Sequence, residues 1–135
     1  MPAAPSIPLD RPEILACLFH PRPGYGLSHQ ANGDDLRIPV GDGATVGGRC
    51  HRADPKAVTL LYFHGNGEIV DDYDDLGPVY AQRGINFLVV DYRGYGQSTG
   101  QPTASALLAD SHAVLGCVTG WLKRQGLTGP LVVMG

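Results

Sequence analysis

The sequence predicts an α/β chain whose sheet is doubly wound in part: an N-terminal antiparallel hairpin, then three parallel strands joined by crossover helices. Three observations carry this expectation. The runs 58–63, 85–90 and 130–134 are apolar and rich in β-branched residues without inward-outward alternation, as strands covered on both faces are. Between them lie segments of helical character. Ahead of them two strand-like runs, 36–40 and 44–52, are joined by Gly41-Asp42-Gly43, a connection short enough to close an antiparallel hairpin.

Size and composition fit one domain. The 135 residues are enough to bury a core, and 43% hydrophobic with 17% charged residues excludes a disordered chain. A net charge of −3 gives no reason to expect nucleic acid or an anionic membrane as partner. No run approaches the ~20 apolar residues that span a bilayer, and Asp10, Arg11 and Glu13 interrupt the start where a signal peptide needs its apolar segment, so a cytoplasmic location is expected. Cys17, Cys50 and Cys117 show no paired spacing, which points to neither a disulfide framework nor a zinc site. Cys50 and His51 are adjacent, but neighbours on a strand face opposite ways, so no metal is expected there.

Residues 1–35 read as an N-terminal extension, partly irregular, and 36–135 as the main domain. Residues 1–9 are expected to be poorly ordered, 11–20 to form a short helix or an irregular segment ended by Pro21 and Pro23, and 24–35 to be a loop. After the strand 58–63, helix is expected over 68–82, split in two so that Pro78 falls in the first turn of the second piece. Asp71, Asp72, Asp74 and Asp75 crowd the first piece, and their spacing lacks the glycine and distal Glu of a calcium loop, so a solvated helix start is expected. Gly84 ends the helix. Thr103 offers a cap for a helix over 104–125, whose apolar face is Ala104, Leu107, Leu108, Val114, Leu115, Val118, Trp121 and Leu122. Gly126 ends that helix before the third buried strand.

In such sheets ligands bind beyond the carboxyl ends of the strands, where three stretches converge: His64-Gly65-Asn66-Gly67-Glu68, the loop from Asp91 to Gly100, and Gly135. The first of these admits several readings. Asn-Gly is a hairpin signal, but the acidic residues after Glu68 cannot form a buried partner strand. A dinucleotide site has Gly65, Gly67 and the strand-ending Asp91 in its favour; against it, Val70 replaces the third glycine, and Asp71 and Asp72 put negative charge where a pyrophosphate sits. The third reading is a turn whose main-chain N–H groups face a developing negative charge.

At this point the residues resemble the α/β-hydrolases, within them the serine hydrolases of the Bem46 and ABHD type. Phe63-His64-Gly65-Asn66-Gly67-Glu68 is similar to their His-Gly-Asn oxyanion turn, and Asp91-Tyr92-Arg93-Gly94-Tyr95-Gly96-Gln97-Ser98-Thr99-Gly100 to the loop after their fourth strand. The resemblance implies a partial α/β-hydrolase sheet truncated at the nucleophile elbow. It makes the backbone N–H of Asn66 one oxyanion donor, and Gly135 the first glycine of the Gly-x-Ser-x-Gly elbow, with the Ser, acid and His of the triad all beyond Gly135. It further implies hydrolysis of esters, thioesters or amides through an acyl-enzyme, no cofactor, no catalytic residue within these 135 residues, and inactivity of the chain alone. His64 is then structural, His112 a solvated helix residue and Ser98 a turn residue. The strand 131–134 becomes an edge, open to a C-terminal half chain or to self-association. A non-catalytic binding or interaction module is the alternative, and the dinucleotide domain stands third.

Overall fold

The computed structural model describes residues 7–25 and 33–135. Helix α1 (Pro12–Leu18) is followed, after the undescribed 26–32, by strand β1 (Asp34–Pro39), the turn Gly41–Gly43 and strand β2 (Thr45–His51), paired antiparallel from Asp34↔Cys50 to Pro39↔Thr45. Strand β3 (Thr59–Phe63), a 3-10 turn (Val70–Tyr73), helix α2 (Leu76–Gln82), strand β4 (Asn86–Val90), helix α3 (Ala104–Arg124) and strand β5 (Leu131–Met134) complete the order. The sheet runs β1-β2-β4-β3-β5: β4 lies antiparallel to β2 and parallel to β3, and β5 is parallel to β3 on its other side. This is a partial α/β-hydrolase sheet.

The element boundaries follow local chemistry. Thr103 caps α3 by accepting the Ala106 N–H at 3.0 Å, and the chain leaves the helix through Gly126 at φ +72, a left-handed conformation that costs glycine little. Pro78 sits in the first turn of α2, where a missing N–H breaks no helical bond. On one face of the sheet Leu36, Val46, Cys50, Leu61, Leu88 and Val90 pack against Val114, Val118 and Leu122 of α3. On the other, Phe87 and Val89 meet Val70, with Tyr80 stacked on Phe87 at 4.6 Å. Full burial of a side chain such as Val118 contributes about 1.5–3 kcal/mol.

Several expectations need correction. Pro8–Asp10 forms a 3-10 turn rather than irregular chain, and Asp10 accepts the Ser105 N–H at 3.1 Å, pinning the extension to the start of α3; residues 1–6 lie outside the described set. Strand β1 starts at Asp34, inside the expected loop 24–35. The first helical piece is a single 3-10 turn, and its acidic run is solvated only in part: Asp72 and Asp75 are exposed, Asp71 and Asp74 enclosed. Arg49 on β2 donates to Asp71 at 2.8 Å, Asp74 at 2.7 Å and Asp35 at 2.7 Å, and the side chains of Arg49, Asp71 and Asp74 are all nearly closed to solvent. Leu108 and Leu115 of α3 are exposed, while Asp110 is buried and holds Arg93. Strand β5 exists, but its residues are exposed or half-buried rather than enclosed. No helix among the described residues is long and apolar enough to cross a membrane.

Candidate functional site

Strands β3 and β4 are in parallel register with Phe63 beside Val90, so the residues that follow each strand emerge side by side. They are His64 and Asp91. The His64 Nε2 lies 2.7 Å from Asp91 Oδ1, and both side chains are closed to water. The same carboxylate oxygen accepts the Val70 N–H at 3.0 Å, and His64 Nδ1 donates to the Gly65 carbonyl at 3.0 Å. Burial pushes the Asp91 carboxyl above its ordinary value, and the hydrogen bonds from His64 and Val70 oppose that without cancelling it. With both ring nitrogens and the carboxylate engaged, the pair acts as a strut between two strand ends.

On this strut stands a turn from Gly65 to Glu68. The Glu68 N–H donates to the Gly65 carbonyl at 3.3 Å, and Gly67, third in the turn, has φ +79, the signature of a type II turn. The Glu68 carboxylate reaches back to accept the Gly65 N–H at 2.7 Å and is itself held by the Tyr73 hydroxyl at 2.6 Å. The Tyr92 hydroxyl donates to the His64 carbonyl, and the Tyr95 hydroxyl donates to Asn66 Oδ1 at 3.1 Å. Among the described residues none accepts a hydrogen bond from the Asn66 N–H, and Asn66 is exposed. The turn thus leaves the Asn66 N–H facing solvent, and among the described residues none accepts from the Gly67 N–H either.

The loop after β4 divides its labour. Tyr92 and Tyr95 face the turn, and burial pushes the Tyr92 hydroxyl up to about 12, so it stays a donor at neutral pH. Gly96, at φ +56, passes so close to Asp91 that an added Cβ would lie 2.2 Å from Oδ2. Gly94, at φ +77, bends the chain where its N–H meets the Thr99 carbonyl at 3.2 Å. Arg93 turns away, bound to Asp110 at 2.6 and 2.8 Å and to the Gly41 carbonyl at 3.1 Å. Ser98 also points elsewhere: its hydroxyl accepts the Gly47 N–H at 2.9 Å, as a turn residue does. Beside the site an apolar recess of about 190 Å³ is lined by Phe63, Tyr92, Pro102, Leu107 and Val114.

His112 is exposed on α3, and Gly135 follows β5 with Phe63 as its neighbour. Among the described residues no cluster of His, Cys, Asp and Glu is arranged to hold a metal ion; Asp71 and Asp74 converge on Arg49. A pyrophosphate has no helix N-terminus to meet after Gly67, because α2 begins only at Leu76 and the intervening turn carries paired carboxylates. The sequence offered no sign of Arg22, and it offered Tyr95 only as part of the loop 91–100. Arg22 donates to the Gly67 carbonyl at 3.0 Å from far along the chain, and no local signal announces that contact.

Comparison with known proteins supplies the context. The family described as serine aminopeptidase, S33, matches residues 53–135. The chain is 38% identical over 79 residues to Protein ABHD12B of Homo sapiens, covering 56% of this chain and 20% of that protein. To Protein bem46 of Schizosaccharomyces pombe it is 40% identical over 58 residues, covering 42% and 19% respectively. A predicted CIB-like hydrolase from Thermoplasma acidophilum superposes with a TM-score of 0.52 at 26% identity over 78% of this chain and 51% of that one. A hyperthermophilic esterase from Pyrobaculum calidifontis gives a TM-score of 0.59 at 20% identity over 90% of this chain and 37% of that one, a likeness of fold. The match spans between about a fifth and two fifths of the length of the curated relatives.

Proposed function

The chain belongs to the serine aminopeptidase S33 family of α/β-hydrolases, and on that premise we propose that it supplies the oxyanion turn of a serine hydrolase acting on ester, thioester or amide bonds through an acyl-enzyme. The observation that carries the reading is the exposed, unengaged Asn66 N–H on a turn whose Gly65 N–H, Gly65 and Gly67 carbonyls and Asn66 Oδ1 are tied down. In the reaction a serine oxygen attacks the substrate carbonyl carbon, and the carbonyl oxygen takes the electron pair. That oxygen then accepts hydrogen bonds from the Asn66 N–H and from the amide after the nucleophile, and one such donor is worth about 2.7–4 kcal/mol in the transition state. On this reading the serine, acid and histidine follow Gly135 in sequence, and the 135 residues alone are inactive.

Proline substitution separates the donor from the side chain. Asn66 is the second residue of a type II turn, a position that favours proline, so Asn66→Pro removes the N–H while suiting the turn, and Asn66→Ala keeps the N–H. A fluorophosphonate probe is expected to leave the 135-residue chain unlabelled and to label a polypeptide extended through the Gly-x-Ser-x-Gly elbow and the remaining strands. In the extended protein Asn66→Pro slows labelling by about 10²–10³-fold, and Asn66→Ala leaves it within a few-fold. Labelling of the unextended chain, or equal rates for the two variants, overturns the reading. The outer edge of β5 favours a second role as an interaction surface for a C-terminal half chain or another copy, since Val132 and Val133 are exposed there.

A further inference from the structure

The residues that fix the oxyanion turn do not all come from the sheet. Between α1 and β1 the chain crosses the turn as the segment 20–25, bound at both ends and in the middle. The His20 N–H donates to the Tyr95 hydroxyl at 2.7 Å, the same hydroxyl that holds Asn66 Oδ1. Pro23 bridges to Gly96, with the Gly96 N–H donating to the Arg22 carbonyl at 2.7 Å and the Gly24 N–H to the Gly96 carbonyl at 3.3 Å. The Tyr25 N–H donates to Asp71 Oδ2 at 2.8 Å, and the Tyr25 hydroxyl to Asp72 Oδ1 at 3.0 Å. From the middle, the Arg22 guanidinium spans two acceptors: Asp72 at 2.7 Å, itself capping the Ile69 N–H at 3.0 Å, and the Gly67 carbonyl at 3.0 Å.

We propose that the segment 20–25 is a strap that sets the oxyanion turn, with Arg22 as its positioning residue. The Gly67 carbonyl belongs to the peptide whose N–H closes the turn onto Gly65. Drawing that carbonyl toward a guanidinium fixes the rotation of the Gly67–Glu68 peptide and keeps an electron-rich oxygen turned to the strap. The Asn66 N–H then keeps its direction without reorganising as charge develops. Gly67, at φ +79, is where such control is needed, because glycine leaves the backbone freest. Arg22 touches no reacting atom; it acts through Gly67. Both bonds leave Nη1 while Nη2 reaches the Tyr25 hydroxyl at 3.1 Å, so a lysine ammonium can replace part of this set but lacks the planar fork that makes all of it.

The inference rests on the reading of Asn66 as an oxyanion donor, and its test separates the two. In the elbow-extended protein, Arg22→Gln is expected to slow fluorophosphonate labelling by about tenfold, the loss of one charge-assisted hydrogen bond, and Arg22→Lys to recover part of that rate. Arg11→Gln, which removes an exposed pair with Glu13, leaves the rate unchanged. In parallel, amide hydrogen exchange of Glu68 quickens by about tenfold in Arg22→Gln, while the amides of β3 keep their wild-type protection. Labelling of Arg22→Gln at the wild-type rate overturns the strap. If the extended wild-type protein takes no label, the functional reading falls and exchange alone judges the strap: Glu68 exchange unchanged in Arg22→Gln overturns it, and quickened exchange confined to the turn supports it.

Discussion

His51 shows how a single residue can tie stability to pH. It lies inside β2 with neither ring nitrogen hydrogen-bonded, its ring 6.3 Å from Phe87 and close enough to Gly77 that an added Cβ there would lie 2.2 Å from the imidazole. Burial lowers its pKa from 6.5; Asp74 and Asp35 pull the other way, and Arg49 adds to the lowering. Because the folded value is depressed, the unfolded chain takes the proton first. The stability is fully present above 6.5 and is lost as pH falls through 6.5 toward the folded value. Urea denaturation should give a midpoint that is flat from pH 8 to 7 and falls between about pH 6.5 and 5, and His51→Leu should remove most of that fall. A wild-type midpoint unchanged at pH 5.5 would contradict the assignment. The strand alternation that separates His51 from Cys50 was readable in the sequence; the glycine that makes room for the ring was not, because Gly77 stands on a different element.

At the scale of elements, the ion network joining β2 to the 3-10 turn is held by one cation. Arg49 binds two nearly enclosed carboxylates, Asp71 and Asp74, whereas its third partner, Asp35, is exposed. Arg49→Met takes the positive charge from beside two nearly enclosed carboxylates and should cost about 3–5 kcal/mol in chemical denaturation. Asp35→Asn should cost less than about 1 kcal/mol, since water replaces the lost contact. Equal costs would show that the network is distributed rather than centred on Arg49. The contrast also explains what was legible. Continuous apolar runs revealed β3 and β4, and Thr103 and Gly126 bracketed α3, because those signals are local. Asp71 looked as solvated as its exposed neighbours Asp72 and Asp75 because its counter-ion lies 22 residues upstream on a strand that only folding brings near. Leu108 and Leu115 satisfied the helical period yet face outward, and the buried polar position Asp110 is explained only by Arg93 from the preceding loop. The candidate site divides in the same way: the His64–Glu68 turn was readable, while its strap had no local signature.

The whole molecule has two unlike sheet edges. Strand β1 carries the guards that discourage further pairing: Asp34, Asp35, Arg37 and Pro39 are all exposed along it. Strand β5 has none. Among the described residues nothing pairs with its outer edge, and Val132, Val133 and Met134 are 48%, 53% and 38% exposed. A short apolar strand with free N–H and C=O groups templates another strand, from a neighbouring copy or from the rest of a hydrolase sheet. Sedimentation velocity on the 135-residue chain should therefore show association that rises with protein concentration. Val133→Lys should shift the distribution toward monomer without lowering the thermal midpoint, because the side chain is already half in water and a charge on an edge opposes pairing. Arg37→Glu on the guarded edge should leave the association unchanged. If the wild-type chain sediments as a monomer across the range, or if Val133→Lys associates equally, the β5 edge is not what holds the copies together.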